Sequence, residues 1–217
     1  MTGDQGSATR LVLASASPRR RELLSLLGVE FDVRPADVVE DVGDGARADI
    51  ITRRLAREKA EAVRLIDPDA WILAADTVVV HQGLILGKPG DAREAREMLG
   101  RLRGQTHEVI TAVAVLSPRQ RGALIRHSVT AVTMRTYGDE EIDAWISRGE
   151  PFDKAGAYAI QDEVFRPVEL YEGCYCNVMG LPLWPTIELL RKAGFPLAHR
   201  PQDLLPQCAG CSLRAPS

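Results

Sequence analysis

Several stretches of the chain place reactive side chains where local structure alone would not want them. In Ser15-Ala16-Ser17-Pro18-Arg19-Arg20-Arg21, the apolar run Leu11–Ala14 leads into a helical pattern over 18–27. Ser17 reads as the N-cap, Pro18 as the first helical residue and Gly28 as the stop. A helix N-terminus carries partial positive charge, so each arginine in the first turn is disfavoured by roughly a few tenths of a kcal/mol. An anion would account for them. Backbone N–H groups, the Ser15 and Ser17 hydroxyls and the guanidinium groups of Arg19 and Arg20 can together hold a phosphate chain. The competing reading points the arginines to solvent and pairs them with acids elsewhere, as is expected of Arg21.

Asp76 is the sharpest anomaly. It interrupts Trp71–Val80, which is otherwise apolar and reads as one strand. A carboxylate there is costly unless it is paired, hydrogen-bonded or bound to a metal. At a sheet edge facing a cleft it can hold Mg²⁺ or act on a water as general base. Thr77 follows it and, on a regular strand, points to the opposite face. Lys59 lies within the apolar stripe of Leu55, Ala62 and Ile66 on a helix over 47–66. Its ammonium either snorkels to water or meets a phosphate or carboxylate.

Weaker signals accompany these. Gly87-Lys88-Pro89 puts a second lysine on a rigid loop, although a turn lysine by default faces solvent. Glu40 can serve as a second metal or base carboxylate, although a loop carboxylate is by default solvated. The run Asp153-Lys154-Ala155-Gly156-Ala157-Tyr158 suits close approach of backbone to a ligand. Gln161, just beyond it, can read the edge of a base through its amide. The turn Asn177–Pro182 is similarly rich in small residues. The four histidines show no metal spacing, and there is no Ser/His/Asp set, Cys/His set, Walker loop or dinucleotide motif. Phosphate handling here would rest on arginine and lysine. The parts fit metal-assisted phosphoryl or nucleotidyl chemistry.

Such residues need a frame that brings them together. Helices are expected over 18–27, 47–66, 91–103, 138–148 and 182–193. Strands are expected over 11–14, 71–80, 107–116, 123–135, 156–160 and 164–170, with 107–116 and 123–135 as antiparallel neighbours. The pattern is α/β: an elongated mixed sheet flanked by helices, with two lobes around a central cleft. A chain of 217 residues, 45% hydrophobic, is long enough for a substantial core and too apolar for disorder. A net charge of −3 argues against a nucleic-acid binder. No apolar run approaches ~20 residues, and the polar N-terminus lacks a signal core, so no membrane association and a cytoplasmic location are expected. Cys174, Cys176, Cys208 and Cys211 could in principle hold zinc, but Cys-x-Cys with Cys-x-x-Cys fits no common knuckle pairing. Unpaired thiols and a frayed tail are expected instead.

The chain also resembles the Maf proteins, nucleoside triphosphate pyrophosphatases. The similar stretches are LASASPRRRELL (13–24), LAREKA (55–60), AADTVV (74–79), GKP (87–89), GQTHEVIT (104–111), DKAGAYAIQ (153–161) and NVMGLPL (177–183). They run over about residues 10–195 in the family's order. The resemblance implies a single catalytic domain over 10–198 with tails at 1–9 and 199–217, and a homodimer as a state common in the family. It implies cleavage of nucleoside triphosphates between the α- and β-phosphates, with a divalent cation (Mg²⁺ or Mn²⁺). By position it makes Asp76 the catalytic carboxylate near the metal, with Glu40 beside it. Arg20, Lys59 and Lys88 would bind phosphates with Ser15 and Ser17, while Arg19, Thr77 and Gln161 match base-specificity positions of the dTTP/UTP branch. Two other roles attached to the family are hydrolysis of modified nucleotides such as 7-methyl-GTP and nucleotide-responsive regulation of cell division. Asp162, where many members have glycine, and the Cys174 and Cys176 pair depart from its pattern.

Overall fold

The computed structural model describes residues 10–39, 46–197 and 205–213. Glu40 lies outside the described residues. In chain order the elements are β1 (Leu11–Leu13), α1 (Pro18–Ser25), β2 (Phe31–Val33), α2 (Ala48–Arg64), β3 (Trp71–His81), β4 (Leu84–Leu86) and α3 (Ala92–Leu102). They continue with β5 (Thr106–Leu116), β6 (Leu124–Met134), α4 (Asp139–Ser147), β7 (Val168–Glu172), α5 (Tyr175–Met179), α6 (Leu183–Lys192) and α7 (Pro206–Ala209). Helix starts follow their caps. Ser17 Oγ accepts from the Arg20 amide at 3.4 Å, and Asp91 Oδ1 accepts from the Glu94 amide at 2.8 Å.

All seven strands form one mixed sheet in the order β2-β1-β3-β5-β6-β7, with β4 also on β3. β1 runs parallel to both β2 and β3, and the remaining pairs are antiparallel. This is the expected mixed sheet flanked by helices, with 107–116 and 123–135 paired as antiparallel neighbours. On one side of β3, β1 pairs only with 71–73 and β4 only with 79–81. Among the described residues, the edge of β3 over 74–78 therefore has no strand partner on that side. The gap opens just past the carboxyl end of a parallel strand, where ligands of open α/β sheets bind.

The alternation of β3 sorts its side chains between cores. Ile72 and Ala74 pack with Ala56, Ala60 and Val63 of α2 on one face. On the other face Leu73 and Ala75 join a cluster with Leu23, Leu24 and Ile187, while Val79 joins a second with Leu99, Leu102 and Trp145. Thr77 falls between those two clusters, and the cleft lies where they part. Among the described residues no helix is long and apolar enough to cross a membrane.

Three expectations are corrected. Residues 156–160, expected as a strand, instead follow two 3₁₀ turns, Pro151–Asp153 and Ala155–Ala157. Gly156 (φ 70°) and Ala157 (φ 65°) adopt left-handed backbone there, which a strand forbids. The strand expected over 164–170 begins only at Val168, because Asp162 Oδ1 accepts from the amides of Val164 (3.1 Å) and Phe165 (2.6 Å) and folds a turn first. The frayed tail does not extend to 205–213: Cys208 and Cys211 are buried in the core cluster of β1 and α6, with Leu205 and Leu213 packed against it. The four cysteines form no disulfide.

Candidate active site

The unpaired edge of β3 puts Asp76 in the site. Its side chain turns to the α2 face, where Lys59 Nζ donates to Asp76 Oδ1 at 2.6 Å. Both side chains are more than nine-tenths buried (9% and 7% exposed). An aspartate in an apolar strand and a lysine in an apolar helical stripe thus answer each other. Each would be costly alone in that setting.

The arginines at the start of α1 point inward. Arg20 bridges three elements: Nε donates to the Gly180 carbonyl (2.9 Å), Nη1 to Ser15 Oγ (3.2 Å) and Nη2 to Thr77 Oγ1 (3.0 Å). Thr77 Oγ1 also meets Thr111 Oγ1 at 3.0 Å, and Thr111 Oγ1 donates to the Asn177 carbonyl at 2.9 Å. Arg19 donates to Asp153 twice, from Nη1 to Oδ2 (2.8 Å) and from Nη2 to the carbonyl (3.0 Å). Burial pushes the Asp153 carboxyl up, but hydrogen bonds from Lys154 and Arg19 outweigh it and hold it below its ordinary value. Arg21 is exposed, as expected.

Two adjoining hollows result. A cleft is lined by Ser15, Ser17, Arg20, Lys59, Lys88 and Asp153. A narrower pocket is lined by Arg19, Thr77, Tyr158, Gln161, Val178 and others. The Arg19–Asp153 and Arg20–Thr77 bonds link the walls of one to those of the other. Of the residues singled out in the sequence, Ser15, Ser17, Arg20, Lys59 and Lys88 gather around the cleft, Arg19, Thr77 and Gln161 gather around the pocket, and Asp76 lines neither.

The small residues of 155–157 position Lys88. The Gly156 amide donates to the Gly87 carbonyl at 3.0 Å, tying the Gly87-Lys88-Pro89 loop to the pocket wall. A Cβ on Gly156 would meet Val79 Cγ2 at 3.0 Å, and its φ of +70° disfavours any side chain. Gly156→Ala is therefore expected to destabilise the fold by about 1–3 kcal/mol and to raise KM for a phosphate-bearing substrate. Urea titration together with steady-state kinetics checks both effects.

Thr111 is a contributor that sequence patterning did not single out, and Asn177 and Asp153 lie in runs that it did single out but without a role for their side chains. Threonine is ordinary in a strand, so Thr111 gives no signal there. Asn177 is fully buried, with Nδ2 donating to the Val109 carbonyl and to Thr130 Oγ1, both at 2.9 Å. Only tertiary structure reveals it as a post beneath the Thr111–Thr77–Arg20 chain. Asp162 closes a turn beside the pocket, where Arg148 binds both of its carboxylate oxygens (3.1 and 2.8 Å).

Beneath the pocket, His107 Nε2 lies 2.8 Å from the Tyr158 hydroxyl, and His107 Nδ1 is buried without a hydrogen-bond partner. Burial first, and the nearby His81 second, push His107 down to about 4. The unfolded chain then takes up this proton near pH 6.5, before the folded one does. Stability is fully present above pH 6.5 and is lost as pH falls toward 4, by on the order of 3 kcal/mol. Urea midpoints measured across that range should fall in the parent chain and fall less steeply in His107→Gln.

The donor set fits a hard divalent cation. The Ser15 and Ser17 hydroxyls and Asp153 line the cleft, and Asp76 reaches it through Lys59, which lines it too; Mg²⁺ is usually bound through one or two carboxylates plus substrate phosphates. Among the described residues, no group of three or more His, Cys, Asp and Glu side chains stands as a ready cage.

Comparison with known proteins agrees with this geometry. The chain matches the family described as Maf-like protein over residues 10–193. It is 54% identical over 205 residues to a protein of Thermomicrobium roseum named dTTP/UTP pyrophosphatase, covering 94% of this chain and 93% of that one. Proteins of the same name from Myxococcus xanthus and Geobacter sulfurreducens are 48% and 50% identical. The former match covers 92% of this chain and 99% of the relative, the latter 85% and 97%. The chain belongs to the Maf-like protein family.

Proposed function

We propose that the protein hydrolyses nucleoside triphosphates, with dTTP and UTP preferred, to the monophosphate and pyrophosphate. The observation that carries this reading is the buried Lys59–Asp76 pair at a cleft walled by Ser15, Ser17, Arg20 and Lys88. Asp76 takes the proton of the attacking water, and Lys59 on Oδ1 fixes the orientation of the carboxylate. Arg20 and Lys88, with the two serine hydroxyls, hold the phosphates in line and meet the charge that grows on the departing pyrophosphate. A divalent cation held by Asp76 together with the substrate phosphates, with Glu40 as a further ligand, would neutralise phosphate charge.

The pocket takes the base. Thr77 and Gln161 present a hydroxyl and an amide, and the Arg19–Asp153 bridge marks the boundary with the phosphate cleft. The preference for pyrimidines rests on the DKAGAYAIQ stretch and on the names carried by relatives near 50% identity. A panel of triphosphates with Mg²⁺, scored for pyrophosphate against phosphate release, tests the proposal. Fast, selective turnover of dTTP and UTP is expected. Preferential turnover of 7-methyl-GTP would move the substrate assignment to modified nucleotides, and binding without turnover would make the protein a nucleotide sensor.

A further inference from the structure

All four cysteines of the chain meet in one place, and none of them lines the cleft or the pocket. Cys174 caps the start of α5 and Cys176 lies in its first turn, while Cys208 and Cys211 come from the C-terminal segment. Each is buried, between 0% and 7% exposed. Their thiol contacts run in a row: Cys211 to Cys174, Cys174 to Cys176, and Cys176 to Cys208, whose sulfurs lie 3.6 Å apart. Backbone turns present both halves. The Cys211 amide donates to the Cys208 carbonyl, and the Cys174 amide donates to Thr130 Oγ1 at 3.0 Å.

We propose that Cys174, Cys176, Cys208 and Cys211 bind one structural zinc ion that staples the C-terminal segment to α5. A lone buried thiol is an ordinary small apolar group. Four linked in a row, drawn from two sequence-distant pairs, supply the ligand set of a tetrahedral zinc site. A zinc tetrahedron with Zn–S of about 2.3 Å has edges of about 3.8 Å, close to the Cys176–Cys208 separation. Among the described residues no group of three or more such side chains is placed to hold a metal ion as it stands, so binding zinc must draw the four sulfurs together, and it releases the thiol protons to solvent. The staple also explains order in a segment whose helix α7 is only four residues long. It bears on the site indirectly, because the turn after α5 supplies the Gly180 carbonyl that receives Arg20.

The test uses the full chain, purified without chelator. About one zinc per chain by mass spectrometry of the metal content is expected, and cobalt exchanged into the same protein should give the intense absorption of a tetrahedral thiolate site. Cys208→Ser with Cys211→Ser should lose the zinc and lower the melting temperature. Asp76→Asn should keep both the zinc and the cobalt spectrum, which separates this site from the catalytic cleft whatever the reaction proves to be. A folded parent chain that carries no zinc and shows no thiolate–cobalt absorption would overturn the proposal, as would a Cys176–Cys208 disulfide in that chain. The parent's cobalt spectrum decides the matter even if the double variant does not fold.

Discussion

Asp76→Asn is expected to lower pyrophosphate release by about 100- to 10,000-fold, the usual worth of a positioned general acid or base. Asparagine keeps the shape and one acceptor for Lys59 Nζ, so the 2.6 Å contact can persist as a weaker hydrogen bond. What it loses is the capacity to take a proton from water and the charge that attracts a cation. The variant removes one charge from a buried pair while keeping an acceptor for it, at a cost of about 1–3 kcal/mol. A fold with the ordinary ~5–15 kcal/mol of stability survives that loss at room temperature. Circular dichroism and a pyrophosphate assay on one preparation separate the two effects. Near-normal turnover by a folded Asp76→Asn protein would remove the base from this residue.

Lys59→Met is expected to give the largest loss of stability of any single change at the site, about 3–5 kcal/mol. The alkyl stem still packs on the α2 face, but the Asp76 carboxylate is left buried and unpaired. Removing both charges, as Lys59→Met with Asp76→Leu, should restore much of the stability while leaving the protein inactive. This sign reversal separates ion-pair energetics from generic damage to packing. A double variant no more stable than Lys59→Met alone would show that the pair is not the source of the effect. Urea midpoints for the four members of the cycle give the coupling directly.

The contrast between these residues and their neighbours shows what a sequence exposes. Asp76 and Lys59 stand out because each breaks a local pattern, a charge in an apolar strand and a charge in an apolar helical stripe. That they answer each other follows only from the packing of α2 on β3, 17 positions apart in the chain. The arginines at α1 are equally visible as an anomaly. An anion is the economical local explanation, yet Arg20 also serves as a cross-brace to Gly180, Ser15 and Thr77. The long strands β3, β5 and β6 and the five longer helices are legible from periodicity. β2, β4 and α5 are too short to establish a period, and the Ala155–Ala157 turn is masked by Tyr158 and Ile160, which suit a strand just after it. The cysteines show the same limit: their spacing looks unproductive in one dimension because the two pairs meet only after the chain has folded.

The site of bond cleavage is the most direct test of the central claim, that water attacks the α-phosphorus of a nucleoside triphosphate. Hydrolysis of dTTP run in ¹⁸O-labelled water with Mg²⁺ reports where the water oxygen ends. Label in the monophosphate and none in the pyrophosphate is the expected result, since the attacking oxygen stays on the phosphorus it reaches. Label in pyrophosphate, or release of orthophosphate with the diphosphate, would contradict it.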